Sequence, residues 1–525
     1  MSELAMTKHR DRFPKIAWMW FLFWAFVLFF YFYGLTIPLV GPDEPRYAQV
    51  AREMFERGDW ITPTLGGFDW FEKPVLLYWL QICSYKLFGV TEFSARFGSA
   101  LFGLGTIASL LILGKRTCKS ITSNASGPIS GANPGAWLAL MAATTLGVIA
   151  FSRGASFDII VTFPITASLV SFFVWDLRHQ VAFGATAGEP LFSWIPLFLC
   201  YFFAGTALLA KGLIGIVFPF GIIAVYFMVS RRWPERQLLF SLIWGTFVSI
   251  AVASTWYLPA LLLHGYRFFD EFFIQQQFLR FTTNKYQHPQ PFYFFLWVLP
   301  LLTIPWMPFF VAGAWKAGKA VLQGFVREQT ASAQSDVYLS IQRFAIAWLL
   351  VPLVFFSFSG SKLPGYILPA VPAAILLAWL FVLRPIQDHM WWQKGVAVVG
   401  VVTLLGSAIL LATVVPRYAD GDSVKRLIAS ANAQGYADEK VLILNSPAYN
   451  AEFYAAGRLL RDESGNQRRF YSAAEIRKEM ESEDTARVLV LVPIGNEPVL
   501  TRSTLLDSRI LSDNGELAIA LVQLK

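Results

Sequence analysis

The stretch IAWMWFLFWAFVLFFYFYGLTIPLVGPDEPRY, residues 16–47, joins a long apolar run to a short charged motif. The run from Ile16 to Pro38 contains about 23 almost entirely apolar residues, and roughly 20 suffice to cross the hydrocarbon core of a bilayer. A cleaved signal peptide is the alternative interpretation, but the run is too long and lacks a small-residue cleavage pattern. The sequence therefore predicts a membrane-spanning helix that is followed at once by two carboxylates and an arginine.

The composition extends this interpretation to most of the chain. Hydrophobic residues make up 55% of it and charged residues only 15%, against roughly 25% in soluble domains. Residues 1–415 are therefore predicted to form an all-α membrane domain with about 11–13 transmembrane helices. Eleven apolar runs mark its spans, near residues 16–38, 94–114, 135–151, 159–176, 193–210, 213–230, 238–261, 292–314, 344–358, 365–383 and 395–415.

The basic residues fall in short clusters between these runs. The cluster within Lys8–Lys15 precedes the first run, so the positive-inside rule places the N-terminus in the cytoplasm. Later clusters on the same predicted side include Lys115–Lys119 and Arg231–Arg232, and the odd total of spans sends the C-terminus outside. The net charge of +8 follows this topology, so we expect no nucleic-acid partner.

After Pro416 the composition changes to that of a soluble segment, residues 416–525. Val441–Leu444, Val488–Val492 and Leu517–Leu524 have the apolar character of buried strands. Helical patterns occur over Ser423–Ala433 and Ala473–Glu483. From Arg417 onward there are 14 basic and 16 acidic residues, so the basic surplus belongs to the membrane domain. We predict a small α/β domain outside the membrane.

The loops on the predicted outer side gather carboxylates, cations and aromatic residues. They are Pro42–Tyr85, Ser152–Asp158, the Lys211 junction, His264–Pro291 and Ser359–Tyr366. Charges concentrated on one face of a membrane protein indicate a polar cavity that opens to that side. A transporter would instead tend to place polar groups and broken helices near the midplane of the bilayer.

The motif Gly41-Pro-Asp-Glu-Pro-Arg-Tyr47 combines helix-start residues with charge. Pro45 suits the first turn of a helix, and either Asp43 or Glu44 could cap it. Capping explains one carboxylate, but it does not explain two carboxylates followed by Arg46. We therefore predict a functional role for Asp43.

A second charged motif, Asp69-Trp-Phe-Glu-Lys-Pro74, precedes another apolar stretch. Its aromatic pair could belong to an interfacial belt. Glu72 and Lys73 are adjacent, so their side chains are expected to diverge and to address different groups. Lys73 would suit a phosphate as a compact point charge, while a lysine that snorkels to the interface is the alternative.

Together the two motifs resemble a known family. Asp43-Glu-Pro-Arg-Tyr47, followed at a matching distance by Phe71-Glu-Lys-Pro74, is similar to the polyprenyl-phosphate-sugar glycosyltransferases, typified by lipid A aminoarabinose transferases and related to protein O-mannosyltransferases. Further matching positions are Asp158, Ala210–Ile214, Gln277–Phe281 and Ser361–Tyr366. The resemblance covers roughly residues 20–380.

The resemblance implies a C-type membrane glycosyltransferase fold, an outward-facing cavity and a periplasmic C-terminal domain. It implies that Asp43 is the catalytic carboxylate, with Asp158 in the same catalytic set. Arg46, Lys73 and Arg280 are assigned to the phosphate of the lipid carrier. The remaining residues expected to line the cavity are Glu44, Tyr47, Glu72, Lys211, Gln275, Lys362 and Tyr366.

One departure from the family concerns metal binding. The aminoarabinose transferases have a histidine-rich stretch where this chain has Ile274-Gln-Gln-Gln-Phe278, so the ligand expected at Gln275 is absent. Glutamine is a poor zinc ligand, and Glu72 with His264 or His288 would be a weak set. The three cysteines show no metal-site or disulfide spacing. We expect no cofactor, with a divalent metal near Glu72 as the disfavoured alternative.

The predicted function is that of an inverting glycosyltransferase of the bacterial inner membrane, embedded among membrane lipids and acting as a monomer. It would move a sugar from undecaprenyl phosphate to lipid A or a related glycolipid, with the active site on the periplasmic side. A protein O-mannosyltransferase and a polysaccharide-modifying transferase are the alternatives within this class. A lipid or glycan flippase and a non-catalytic scaffold are the alternatives of other classes.

Overall fold

The computed structural model describes residues 12–122, 134–182, 194–279, 282, 289–326 and 333–525. The chain divides into two compact units, each considered by itself below. Unit 1 comprises Met1–Tyr33, Glu72–Leu77 and Ser99–Gly406, and unit 2 comprises Gly34–Phe71, Tyr78–Gly98 and Ser407–Lys525. Arg280 and His288, named above as candidate site residues, lie outside the described residues.

Helices dominate the described chain. They are α1 (Arg12–Phe32), α2 (Asp43–Arg57), α3 (Leu76–Phe88), α4 (Glu92–Thr122), α5 (Pro134–Ala143), α6 (Leu146–Ser152), α7 (Phe157–Ala182), α8 (Ile195–Lys211), α9 (Ile214–Ser230), α10 (Arg236–Phe269), α11 (Phe294–Leu302), α12 (Met307–Val326), α13 (Ala333–Ser357), α14 (Val371–Asp388), α15 (Met390–Asp422), α16 (Lys425–Ala433), α17 (Ala451–Tyr454), α18 (Ala473–Ser482) and α19 (Pro498–Thr501). A π-helical segment, Asp270–Leu279, follows α10, and a 3₁₀ helix, Pro364–Ala370, precedes α14.

The all-α membrane domain predicted from the sequence is confirmed. Within the described ranges, six segments are long and apolar enough to cross a bilayer: Glu92–Cys118, Phe157–Gln180, Arg236–Leu279, Val337–Ser357, Pro364–Asp388 and Met390–Asp422. The bent pair α5 and α6 makes a seventh candidate, and three more helices are apolar but shorter. Each of the eleven predicted runs falls on a helix or on a helix with a break, while the total of 11–13 spans stays a prediction.

The bend of 58° between α5 and α6 leaves backbone groups that need other partners. Thr144 and Thr145 turn their hydroxyls back to the carbonyl oxygens of Leu140 and Met141, at 2.8 and 2.6 Å. The backbone N–H of Leu146 donates to the carbonyl oxygen of Ile304 at 2.8 Å. Two threonine hydroxyls and a neighbouring loop therefore supply hydrogen-bond partners for backbone groups at the break. The apolar run can be interrupted here without leaving those groups unpaired.

Close helix packing fixes α8, the helix that ends at Lys211. A Cβ atom added at Gly205 would lie only 2.7 Å from the carbonyl oxygen of Ser249 on α10, so only glycine permits this approach. The Ser249 hydroxyl donates to the carbonyl oxygen of Tyr201 at 2.8 Å. On the other side, the Ser168 hydroxyl of α7 donates to the carbonyl oxygen of Cys200 at 2.8 Å. Small and hydroxylated residues thus lock α7, α8 and α10 together in unit 1.

Unit 2 contains a two-stranded hairpin and a five-stranded sheet. The strands are β1 (Thr64–Leu65), β2 (Phe68–Asp69), β3 (Val441–Leu444), β4 (Arg469–Phe470), β5 (Arg487–Pro493), β6 (Leu506–Asp513) and β7 (Leu517–Leu524). The sheet has the order β4-β3-β5-β7-β6, in which β3 runs parallel to β4 and β5 while β7 runs antiparallel to β5 and β6. The small α/β domain is therefore confirmed, including its three predicted strands and both predicted helices.

The two faces of the sheet carry two apolar cores. Val441 and Ile443 join one core with Leu427 of α16, and Leu442 and Leu444 join the other with α18. This alternation follows from the period of two along a strand, and it explains why β3 is apolar without interruption.

Within unit 2, the segment from Gly34 to Phe71 packs against the C-terminal part of the chain. The backbone N–H of Leu39 donates to the Tyr454 hydroxyl at 2.8 Å, and that of Gly41 donates to Asp422 at 3.1 Å. A Cβ atom at Gly66 would overlap the Arg461 side chain, so hairpin and C-terminal domain are in direct contact. Helix α15 continues through Pro416 to Asp422, and the boundary between residues 415 and 416 stays a prediction.

Candidate active site

Helix α2 begins at Asp43 and sets it beside Arg46 in unit 2. The two residues lie about one turn apart, and the Asp43 carboxylate lies 2.5 Å from the Arg46 guanidinium. Arg46 also donates from Nε to the carbonyl oxygen of Pro42 at 2.9 Å. Half of the Asp43 side chain stays exposed. The carboxylate therefore lies beside a cation at the positive end of a helix, and it remains accessible to a substrate.

Asp43 does not cap the N-terminus of α2. Pro42 is the N-cap residue of α2, and Asp43 is already the first helical residue. The carboxylate that reaches back to the backbone is Glu44, which accepts a hydrogen bond from the Val40 N–H at 3.1 Å. The structural role that capping could explain thus belongs to Glu44.

Glu44 also forms a buried ion pair with Arg96 of α4. The Arg96 guanidinium donates to both carboxylate oxygens of Glu44, at 3.1 and 2.6 Å. It further donates to the carbonyl oxygens of Leu35, Ile37 and Pro38. Arg96 is only 4% exposed, so one buried cation ties together the chain that leads into α2. Sequence reasoning missed Arg96, although an arginine inside an apolar run was a signal that could have found it.

Tyr47, expected to line the cavity, is buried in unit 2. Its ring packs edge-on against Tyr78 of α3, with 6.5 Å between the ring centroids. The next residue, Ala48, accepts a hydrogen bond from the Tyr85 hydroxyl at 3.0 Å. One face of α2 is thus fixed to α3, which holds the helix that carries Asp43.

A second group of predicted site residues lines a cavity of about 420 Å³ in unit 1. It is called the prenyl cavity below, after the polyprenyl carrier that the resemblance implies. Its charged lining residues are Glu72, Lys73 and Lys211. Aromatic and aliphatic side chains supply most of the remaining wall, together with two glutamines: Pro74, Leu213, Ile214, Val217, Phe273, Gln276, Gln277, Phe278, Thr282, Phe355, Phe356, Ser359 and Tyr366. The cavity therefore combines an apolar wall with two ammonium groups.

Lys211 and Asp158 form an ion pair that joins the ends of two helices. Asp158 lies in the first turn of α7, and Lys211 is the last residue of α8. The Lys211 ammonium also lies 4.7 Å from the centroid of the Tyr366 ring, a cation–π distance. Gly365 packs directly against the Asp158 carboxylate, where any side chain would overlap it. The structure thus brings together Asp158, Lys211 and Tyr366 as the sequence predicted.

The prediction that Glu72 and Lys73 diverge is wrong. The Lys73 ammonium lies 3.0 Å from the Glu72 carboxylate, and both side chains are largely buried. The rule that neighbours diverge holds on a helix, whereas these residues lie in the turn between β2 and α3, where adjacent side chains can share one side. Lys73 therefore already has an anionic partner in the prenyl cavity.

Lys362 and Gln275 occupy other positions in unit 1. The Lys362 ammonium is buried and donates to the carbonyl oxygen of Ser359 at 2.6 Å. Burial lowers the pKa of this lysine, because desolvation disfavours its charged form. Gln275 lies in the π-helical segment, with its side-chain amide 3.4 Å from Asp270. Its neighbours Gln276 and Gln277 are the glutamines that line the prenyl cavity.

Among the described residues, no group of three or more His, Cys, Asp or Glu side chains is placed to hold a metal ion. Glu72 is paired with Lys73, which leaves it less suited to a cation. Independence from a metal nevertheless stays a prediction.

The fold and the cavity define a class of protein: a polytopic membrane protein with a C-type glycosyltransferase fold. The crystal structure of ArnT from Cupriavidus metallidurans bound to undecaprenyl phosphate superposes with a TM-score of 0.71, at 21% identity, over 96% of this chain and 98% of that one. The family model of dolichyl-phosphate-mannose-protein mannosyltransferases matches residues 16–269.

Two curated relatives are undecaprenyl phosphate-alpha-4-amino-4-deoxy-L-arabinose arabinosyl transferases. The protein from Serratia proteamaculans is 32% identical over 68% of this chain and 58% of its own length. The protein from Aeromonas hydrophila is 31% identical over 68% of this chain and 59% of its own. The chain thus matches about three-fifths of these relatives' length. The resemblance to polyprenyl-phosphate-sugar membrane glycosyltransferases is confirmed.

Proposed function

We propose that this protein is an inverting glycosyltransferase that moves a sugar from a polyprenyl phosphate to an acceptor of the bacterial envelope. The prenyl cavity carries the proposal, because its apolar wall suits an isoprenoid chain and its two lysines suit a phosphate. The relatives are named for an undecaprenyl phosphate sugar donor, which supports the same chemistry.

The charge of the cavity supports a role for further cations. Lys73 is balanced by Glu72 and Lys211 by Asp158, so these four groups sum to no net charge. A departing phosphate gains negative charge as the glycosidic bond breaks, and preorganised cations stabilise it. The resemblance assigns Arg46, Lys73 and Arg280 to that phosphate, and we propose these roles on that basis alone.

Asp43 is the proposed catalytic carboxylate. It would accept the proton of the acceptor nucleophile, which attacks the anomeric carbon from the face opposite the phosphate, so the configuration inverts. Its half-exposed position leaves it accessible to the acceptor, and its contact with Arg46 fixes its place at the start of α2. Asp158 would hold Lys211 at the cavity, and the resemblance places it in the same catalytic set.

The acceptor is proposed to be lipid A or a related glycolipid, because the two charged motifs resemble those of the lipid A aminoarabinose transferases. A protein hydroxyl is the second candidate, because the matching family model is described by protein mannosylation. The deciding experiment is mass spectrometry of envelope lipids and glycoproteins from cells with and without the chain. A sugar lost from glycolipids supports the first candidate and one lost from proteins the second; unchanged envelopes would contradict both.

We further propose an inner-membrane location with a cytoplasmic N-terminus, a periplasmic active site and a periplasmic C-terminal domain. The distribution of basic residues between apolar runs supports this orientation. Single cysteines at Ser464 and at Trp233, both exposed, would test it in a cysteine-free background. A membrane-impermeant maleimide should label Ser464→Cys in intact spheroplasts and Trp233→Cys only after lysis. The reverse pattern would contradict the orientation.

A further inference from the structure

A second cavity, of about 580 Å³, lies within unit 2 and differs in kind from the prenyl cavity. We call it the polar cavity. Its lining residues come from α2, from the segment after β2 and from the C-terminal domain: Arg46, Leu65, Trp70, Pro447, Tyr449, Glu452, Arg461, Asp462, Gly465, Asn466, Gln467, Arg468, Arg469 and Tyr471. Four arginines, two amides and three aromatic rings face two carboxylates, so the lining is polar and cationic.

The arginines of the polar cavity differ in whether they form ion pairs. Arg461 is buried and ion-paired with Glu452, and Arg468 is ion-paired with Glu479 at 2.7 Å. Arg469, at the start of β4, is exposed and has no hydrogen-bond or ion-pair partner among the described side chains. The cavity thus presents a guanidinium that is available to an anion, supported by a rigid Arg461–Glu452 pair.

The aromatic rings and side-chain amides of the polar cavity offer a ligand contacts other than charge. Trp70 and Tyr449 flank Arg46, with their ring centroids 6.0 and 5.9 Å from its guanidinium carbon. The indole N–H of Trp70 and the side-chain oxygen of Gln467 are buried, and neither meets a hydrogen-bond partner in the described part of the chain. Buried polar atoms of this kind are normally satisfied, so a donor and an acceptor remain for a ligand.

We propose that the polar cavity binds the phosphorylated saccharide head of the acceptor. This inference rests on the proposed function and specifies its acceptor. Arginine forms bidentate hydrogen bonds with phosphate. Aromatic faces pack on the apolar faces of sugar rings, and amides bond their hydroxyls. An acyl or prenyl chain has no matching wall here, which separates this cavity from the prenyl cavity.

Binding to the purified full-length protein in detergent micelles tests the proposal by calorimetry. The probe is a phosphorylated glucosamine disaccharide, compared with the same disaccharide without phosphate and with inorganic phosphate alone. Arg469→Ala should weaken binding of the phosphorylated probe at least tenfold, and Arg469→Lys should recover part of it. Tyr471→Ala should weaken both disaccharides. Arg502→Ala, an exposed arginine of the same domain outside the cavity, is the matched control and should bind like the native protein.

Three results would overturn the proposal. The first is equal affinity of the native protein and Arg469→Ala for the phosphorylated probe. The second is inorganic phosphate binding as tightly as the phosphorylated disaccharide, which would leave only a simple anion site. The third is displacement of the probe by a Ser/Thr-containing peptide with higher affinity, which would favour a protein acceptor.

The proposed glycosyl transfer is tested separately through the carrier lipid. Undecaprenyl phosphate should bind Arg469→Ala and the native protein equally, whereas Lys73→Ala should lose it. If no sugar is transferred to any acceptor but the disaccharide still requires Arg469, the proposed function fails and the saccharide site stands. If transfer occurs with an acceptor KM that Arg469→Ala leaves unchanged, the saccharide site is wrong and the function stands.

Discussion

The prenyl cavity of unit 1 and the polar cavity of unit 2 are similar in size and opposite in chemistry. The first has mainly apolar walls, and both of its lysines are paired with carboxylates. The second has arginines, amides and aromatic rings, and one arginine has no partner among the described residues. An amphiphile with a phosphate fits the first, and a hydrated, charged saccharide fits the second. The proposed transfer from a carrier lipid to a glycolipid would use both kinds of surface, because the two lipids differ in their head groups.

The largest expected effect is on turnover, and it should leave ligand binding in both cavities unchanged. Asp43→Asn keeps the size of the side chain but removes its charge, so turnover should fall by a factor of about 10² to 10⁴, typical for loss of a general base. Binding of carrier lipid and of the disaccharide probe should persist. Turnover is measured with purified protein, a competent donor and an acceptor.

Glu56→Gln is the matched control for this variant, because Glu56 lies on the same helix and is paired with Arg52 on the exposed face. It should turn over at the native rate. Native turnover by Asp43→Asn would show that Asp43 is not the catalytic carboxylate.

The next effect concerns stability of the segment that carries Asp43. Glu44→Gln would leave the Arg96 charge buried without its counterion, and breaking such a pair costs about 3–5 kcal/mol. We expect a clear fall in the thermal unfolding midpoint of the purified protein, with Glu56→Gln unchanged. An unaltered midpoint would mean that the carbonyl oxygens around Arg96 suffice to hold it without Glu44.

The third prediction tests the three cations that the resemblance assigns to the carrier phosphate. Lys73→Ala, Arg46→Ala and Arg280→Ala should each weaken binding of undecaprenyl phosphate, by about 2–5 kcal/mol for a desolvated charge pair. Lys73→Ala should have the clearest effect, since Lys73 lines the cavity. Arg477→Ala, an exposed arginine of α18, is the control. Equal binding of labelled carrier by all three variants and the native protein would refute a shared phosphate site.

The sequence predicted the elements whose pattern is local. The apolar runs, β3, β5 and β7 could be found because each is a nearly continuous apolar stretch. Strand β4, with two residues, and β6, which mixes apolar with charged residues and contains a bulge, carry no such pattern. Their pairing is set by neighbouring strands, so no local reading could have found them.

The candidate site shows the same limit. Motif matching singled out Asp43, Asp158, Lys211, Glu72 and Lys73 as candidates, because their residue types recur at fixed spacings. It could not find that Arg96 holds Glu44, since these residues are 52 positions apart. It also missed the polar cavity. Arg461 and Arg469 line a cavity with Arg46 only when the C-terminal domain packs against the segment that carries α2.

The smallest expected effect is that of removing metal. Gln275 stands where the resembling transferases have a histidine-rich stretch, and Glu72, the remaining candidate ligand, is paired with Lys73 at 3.0 Å. In the proposed mechanism Asp43 activates the acceptor and the cations stabilise the departing phosphate, so we expect no step of it to depend on a metal. Turnover should therefore be unchanged, within about a factor of two, after exhaustive chelation of the purified protein. Elemental analysis of the same sample is the companion measurement. Stoichiometric zinc, with activity lost on chelation and restored by zinc alone, would show that the reaction depends on a metal and would contradict this prediction.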